Sequence, residues 1–114
     1  FLAEAPLGIV VGADPAHCDV WVEDCAVAMS FMHLRAVDLD LGSCWIQVRK
    51  RTHADGGSAS DHIARRLDLP ERLQVAAILA VGYPAAPKPG HGRETLLFQK
   101  VHRNRFDAPY AFKA

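Results

Sequence analysis

The chain has 114 residues, 50% of them hydrophobic and 23% charged, the composition of one globular domain with enough apolar residues for a core. Its 13 basic and 13 acidic residues cancel to a formal net charge of zero, which argues against nucleic acid or an anionic membrane as the main partner. The longest apolar runs, residues 7–13 and 75–83, are too short to span a bilayer.

Residues 7–13 form an apolar run with two valines and an isoleucine, closed by Asp14-Pro15, and predict a buried strand followed by a turn. The chain opens at Phe1 rather than Met and enters this strand almost at once, so the sequence reads as a piece of a longer polypeptide or a processing product. A helix is predicted over 21–41. Asp19 is its expected N-cap, Glu23 and Asp24 suit its positive end, and Gly42 is the expected C′ residue. This helix is apolar nearly all round, with only a thin polar line through Asp24, Arg35 and Asp38. Such a helix is covered on more than one side, and a partner subunit is the simplest supplier of the second cover.

A second strand is predicted over 43–48, after which Arg49-Lys50-Arg51 carries the chain to solvent. Residues 52–57 read as a loop, and Ser58 caps a second helix running to about Asp68 with Ile63, Ala64 and Leu67 on its apolar face. Residues 73–81 are almost continuously apolar and predict a strand buried on both faces. Gly82-Tyr83-Pro84 stops it. Residues 85–92 are rich in Pro and Gly, residues 94–101 suit a short strand or an extended arm, and the tail 104–114 has no period. The order is β-α-β-α-β plus a C-terminal arm.

Chemical signals are sparse. Cys18, Cys25 and Cys44 include no CxxC pair and read as reduced core cysteines, which favours a cytoplasmic protein over a disulfide frame or a zinc site. The histidines at 17, 33, 53, 62, 91 and 102 are scattered, with no HxxxH or HExxH pattern. His33, on the apolar helix, reads as a packed or interface side chain. No GxSxG elbow, P-loop or GxGxxG occurs. The junction Asp40-Leu41-Gly42-Ser43-Cys44-Trp45-Ile46 is the most informative stretch, because a tight turn with small residues lets a flat or phosphorylated ligand approach the backbone. Lys88 and Arg93 in the arm are the candidate anion contacts, and a solvated loop is the plainer reading of that arm.

Four pieces, in this order and spacing, carry a family likeness. They are Ala5-Pro6-Leu7-Gly8-Ile9-Val10-Val11; Trp21-Val22-Glu23-Asp24-Cys25-Ala26-Val27-Ala28-Met29; Leu39-Asp40-Leu41-Gly42-Ser43-Cys44-Trp45-Ile46; and Leu69-Pro70-Glu71 running on to Val75–Pro84. Together they resemble the C-terminal part of the FMN-dependent nitroreductase family. The resemblance implies an α+β fold, a nitroreductase-like mixed sheet flanked by helices, with residues 1–114 as the C-terminal part of a single domain. It implies a homodimer built on long helices, FMN at the subunit interface, and electron flow from NAD(P)H through flavin to a small acceptor. It places Leu41, Gly42, Ser43, Cys44, Trp45 and Gln47 along the flavin, and Lys88 and Arg93 at its phosphate. No catalytic acid or base and no metal is implied. The family's turn usually reads Gly-Leu-Gly, and here it is Asp40-Leu41-Gly42. The family's N-terminal Arg-Arg-Ser-type motif and Pro-Ser-type loop, which grip FMN, have no match in this sequence. A flavin-free dimerisation or ligand-binding module derived from the same fold is the alternative.

Overall fold

A computed structural model describes residues 2–86 and 88–111. Three strands, β1 (Leu7–Ala13), β2 (Gly42–Gln47) and β3 (Gln74–Gly82), form a sheet in the order β1-β3-β2, with both pairings antiparallel. Helix α1 (Trp21–Asp38) lies between β1 and β2 in sequence, and helix α2 (Ala59–Arg66) lies between β2 and β3. The architecture is α+β, in the β-α-β-α-β order that the hydrophobic pattern predicts. Phe1, Pro87 and the last three positions of the aperiodic tail, 112–114, lie outside the described residues.

The central strand explains its own sequence. β3 is buried from Val75 to Val81 because α1 covers one face and α2 the other. Met29 of α1 is fully buried against Ala77, Leu79 and Val81. Trp21 and Cys25 pack on Ala76. On the opposite face Val48, Val75 and Ile78 pack with Ile46, Ala59 and Ile63. Strict alternation would not put both Ala76 and Ala77 on the α1 side. A β-bulge permits it: Val11 pairs with Ala77 and Gly12 with Val75, leaving Ala76 as the extra residue. The Ala76 carbonyl accepts the backbone N–H groups of both Val48 (3.2 Å) and Arg49 (2.9 Å). The bulge also dictates Gly12, since a Cβ there would stand 2.5 Å from the Gln74 carbonyl oxygen.

Both helices end in the same way, and the end of α1 differs from the expected one. α1 stops at Asp38, with Leu39 as C-cap and Asp40 left-handed at φ 57°. The Asp40 N–H donates to the Val37 carbonyl (3.0 Å) and the Leu41 N–H to the Ala36 carbonyl (2.8 Å). These bonds define a Schellman motif in which Asp40, not Gly42, is the C′ residue. Gly42 is instead the first residue of β2. α2 repeats the device: Asp68 is left-handed at φ 51°, and the Leu69 N–H donates to the Ala64 carbonyl at 2.9 Å. The sequence signal is the triplet Leu-Asp-Leu at 39–41 and 67–69, because aspartate tolerates the left-handed region better than most residues and the following leucine packs back. At the other end of α1, Val20 rather than Asp19 is the N-cap and no side chain caps it. Ser58 does cap α2, accepting the Asp61 N–H at 3.3 Å.

The arm makes two 3-10 turns, Arg93–Thr95 and Phe98–Lys100, in place of the alternative strand over 94–101. Its described residues contribute no buried side chain to the core. The radius of gyration is 18.0 Å. A compact domain of this length has about 13 Å. The excess belongs to a chain with an arm that lacks a core of its own.

Candidate functional site

β2 is an edge strand, so the side away from β3 offers backbone donors and acceptors that no neighbouring strand takes. At its start a cleft of about 390 Å³ opens between Gly42, Ser43 and Cys44, the end of β3 with Gly82, Tyr83 and Pro84, and the Glu4-Ala5-Pro6 approach to β1. That volume lies within the range of small-molecule and cofactor sites. The approach is tight, since a Cβ on Gly82 would sit 2.9 Å from Pro6 Cδ. Glu4 is the only charged side chain lining the cleft among the described residues.

α1 reaches the site through His33, whose Nδ1 lies 2.7 Å from Ser43 Oγ. The His33 ring also stacks with Trp45, centroids 6.5 Å apart and planes 12° apart. Ser43 and Trp45 are two residues apart and therefore share a strand face. His33 is thus a packed histidine, as expected, and it is also the group that ties the helix to the start of β2. No sequence pattern signals this second role, because His33 and Ser43 are brought together only by the chain reversing through the Asp40 turn. Trp45 Nε1–H donates to Gln47 Oε1 (3.0 Å), and Gln47 Nε2 donates to the Arg49 carbonyl (2.9 Å). The Arg49 guanidinium lies over the Trp21 ring at 5.6 Å. The far end of β2 is therefore pinned by its own side chains.

Of the eight residues expected at a cofactor, Gly42, Ser43 and Cys44 line the cleft. Trp45 and Gln47 continue along the same strand. Leu41 turns inward and packs with the Met29 cluster. Lys88 and Arg93 do not line the cleft. Lys88 is exposed in the arm, and the Arg93 guanidinium lies over the Phe98 ring at 5.2 Å. Asp40 is exposed and is absent from the cleft wall, its place set by the helix stop.

The cysteine reading needs correction. Cys25 is buried, and burial pushes its thiol pKa up. Cys18 is half-buried at the edge of the Trp21-Cys25-Ala76 cluster, and Cys44 is exposed and lies outside the core. The Cys18 thiol donates to Asp24 Oδ2 (3.1 Å), a bond that raises its pKa. All three are free thiols. Cys44 is exposed because β2 is an edge strand beside an open cleft.

The outer face of α1 remains apolar and uncovered. Val27, Phe31, Leu34 and Val37 are 55%, 66%, 67% and 70% exposed. They recur at helical spacing opposite Trp21, Cys25, Met29 and Ala36, the side packed on the sheet. No helix among the described residues is long and apolar enough to cross a membrane.

Against known proteins, the model of the nitroreductase family matches residues 1–83. The chain belongs to the nitroreductase family. A nitroreductase-family protein of Archaeoglobus fulgidus, provisionally named NADH dehydrogenase/NAD(P)H nitroreductase, is 33% identical over 91 residues, 76% of this chain and 49% of that protein. A similarly named protein of Methanothermobacter thermautotrophicus is 31% identical over 85 residues. The chain spans about half the length of these curated relatives, 49% and 42%. Among solved structures, an FMN-dependent nitroreductase of Clostridium difficile R20291 is 42% identical with a TM-score of 0.85, over 90% of this chain and 59% of that one. Iodotyrosine deiodinase, solved with FMN and 3-iodo-L-tyrosine, is 26% identical with a TM-score of 0.64, over 90% of this chain and 49% of that one.

Proposed function

We propose that the chain is the C-terminal part of an FMN-dependent oxidoreductase of nitroreductase type, taking electrons from NAD(P)H and passing them to a nitroaromatic, quinone or similar acceptor. The observation that carries this reading is the cleft at the open edge of β2, in a chain of this family. The edge strand fits the ring end of a flavin: it offers a flat wall, small residues at Gly42 and Ser43, and backbone donors and acceptors facing outward. The flavin, when bound, supplies the hydride and electron chemistry. The residues of this chain hold and shape. Gly42 lets the ligand approach the backbone, Ser43 and Trp45 are kept in register by His33, and Gln47 is fixed by Trp45 and Arg49. Among the described residues the cleft wall carries no cation, so Lys88 and Arg93 would meet the phosphate from the arm.

The same reading gives the outer face of α1 an occupant, a second copy of the chain. Burying Val27, Phe31, Leu34 and Val37 at their present exposures contributes roughly 5 kcal/mol per subunit, at about 2 kcal/mol per fully buried side chain. A cytoplasmic setting goes with free thiols at Cys18, Cys25 and Cys44.

One observation favours the alternative, a flavin-free dimerisation or ligand-binding module. Glu4, an acid, is the sole charge on the cleft wall among the described residues. The test is FMN titration of the protein, followed by flavin absorbance and fluorescence, with Lys88→Ala and Arg93→Ala beside it. The oxidoreductase reading expects saturable FMN binding that both variants weaken, and NAD(P)H-dependent bleaching of the bound flavin. A protein that stays colourless with added FMN refutes it and leaves the module.

A further inference from the structure

His53 and His62 are nine positions apart in sequence, yet their imidazoles stack with centroids 3.6 Å apart and planes 12° apart. Asp55 completes the group, its Oδ1 3.0 Å from His53 Nδ1. One donor atom from each of the three side chains lies within 4.8 Å of the others. We propose that His53, Asp55 and His62 bind a divalent transition-metal ion of the zinc class, away from the β2 cleft.

The backbone builds this site rather than leaving it to chance rotamers. Thr52 and Ser58 bridge, the His53 N–H donates to the Gly57 carbonyl (2.8 Å), and the Gly56 N–H donates to the His53 carbonyl (2.9 Å). The loop is therefore a closed hairpin turn, with Gly56 left-handed at φ 87°. The Gly57 N–H donates to Asp55 Oδ1 (2.9 Å), which aims the carboxylate back at His53. His62 rises from α2 beside them, on a helix whose start is fixed by the Ser58 cap.

Two imidazoles and one carboxylate suit zinc, cobalt, nickel or copper(II) and do not suit magnesium or calcium, which take oxygen donors. Tetrahedral bonds of about 2.1 Å place donor atoms about 3.4 Å apart. Binding therefore draws the widest-spaced donors together by up to about 1.4 Å, within reach of side-chain rotation at half-exposed residues. Three protein ligands leave a fourth position for water. The ion would lock the 52–58 loop onto the first turns of α2.

Zinc titration of the reduced protein by calorimetry tests this, with His53→Ala, His62→Gln, Asp55→Asn, His91→Ala and Cys44→Ser measured alongside. The expected result is one saturable ion per chain, weakened more than about tenfold by His53→Ala and His62→Gln and unchanged by His91→Ala and Cys44→Ser. Circular dichroism checks that each variant is folded, and His62→Gln, on an intact helix, carries the test if His53→Ala is not. No saturable binding overturns the proposal. So does binding that survives both histidine changes, or that is lost with Cys44.

Discussion

Replacing Asp40 isolates two effects that the helix stop combines. Its backbone is left-handed at φ 57°, and its carboxylate sits at the negative end of α1. A carboxylate there costs about 0.3–1 kcal/mol through the helix dipole. The left-handed backbone costs a non-glycine residue about 1–2 kcal/mol, less for Asp or Asn. Asp40→Asn removes the charge and keeps a residue that tolerates the conformation, so it should stabilise by about 0.5 kcal/mol. Asp40→Gly removes both penalties but loosens the unfolded chain by about 0.5–1 kcal/mol, for a net gain of about 1 kcal/mol. For a chain of this size that is a rise in Tm of about 4 °C. The assay is thermal and urea unfolding followed by circular dichroism at low and high salt. The gain in Asp40→Asn should shrink in salt, because it is electrostatic, while the extra gain in Asp40→Gly should persist. Asp68 is the internal control. It has the same backbone, but Arg65 and Arg66 share its last turn, so Asp68→Asn should gain less than Asp40→Asn. Loss of stability in Asp40→Gly, or a gain in Asp40→Asn that ignores salt, would refute this account of the turn.

Gly12→Ala should destabilise by about 1–3 kcal/mol, since the new Cβ meets a backbone carbonyl that the bulge cannot move, and the urea midpoint will report it. Met29→Ala opens a cavity at a fully buried position and should cost about 2–5 kcal/mol by the same measurement. Leu34→Glu on the uncovered face of α1 should convert a dimer to monomer in analytical ultracentrifugation without altering the far-ultraviolet spectrum; an unchanged sedimentation coefficient would remove that face from the interface. Asp14 accepts the Ala16 N–H and faces His17 and Arg72, contacts that lower its pKa. Its contribution to stability is therefore present above the unfolded value near 3.8 and lost as pH falls through the lower folded value. Asp14→Asn should cost stability at neutral pH and flatten the acid side of the stability–pH curve below about pH 4.

The elements were readable because each carries its own local cause. The unbroken apolar run of β3 demands two covered faces, and the apolar girth of α1 demands more cover than this chain supplies. The end of α1 is not legible from a glycine signal, because a Leu-Asp-Leu triplet with left-handed Asp40 ends the helix in place of Gly42. Gly42, Ser43 and Cys44 were legible as a cleft wall from small residues at a helix-to-strand junction. His33 was not, since its bond to Ser43 depends on the angle at which α1 returns to the sheet. The pairing of His53 with His62 was equally hidden: a loop that closes through Thr52 and Ser58 leaves no regular spacing to recognise. The exposure of Cys44 follows from strand order, which pattern alone does not give.

The bulge at Ala76 acts on β3 as a frameshift acts on a message. Residues from Ala77 onward alternate in one phase and Val75 in the other, so one strand presents a matched set of side chains to helices on opposite faces. Flattening the bulge with Ala76 kept in the ladder would restore strict alternation and destroy that match. Either Val75 would turn toward α1 and leave the α2 cluster, or the rest of the strand would invert and carry Ala77, Leu79 and Val81 off Met29. Neither outcome preserves both layers, so a single alanine with almost no side chain to pack sets the phase of the whole core.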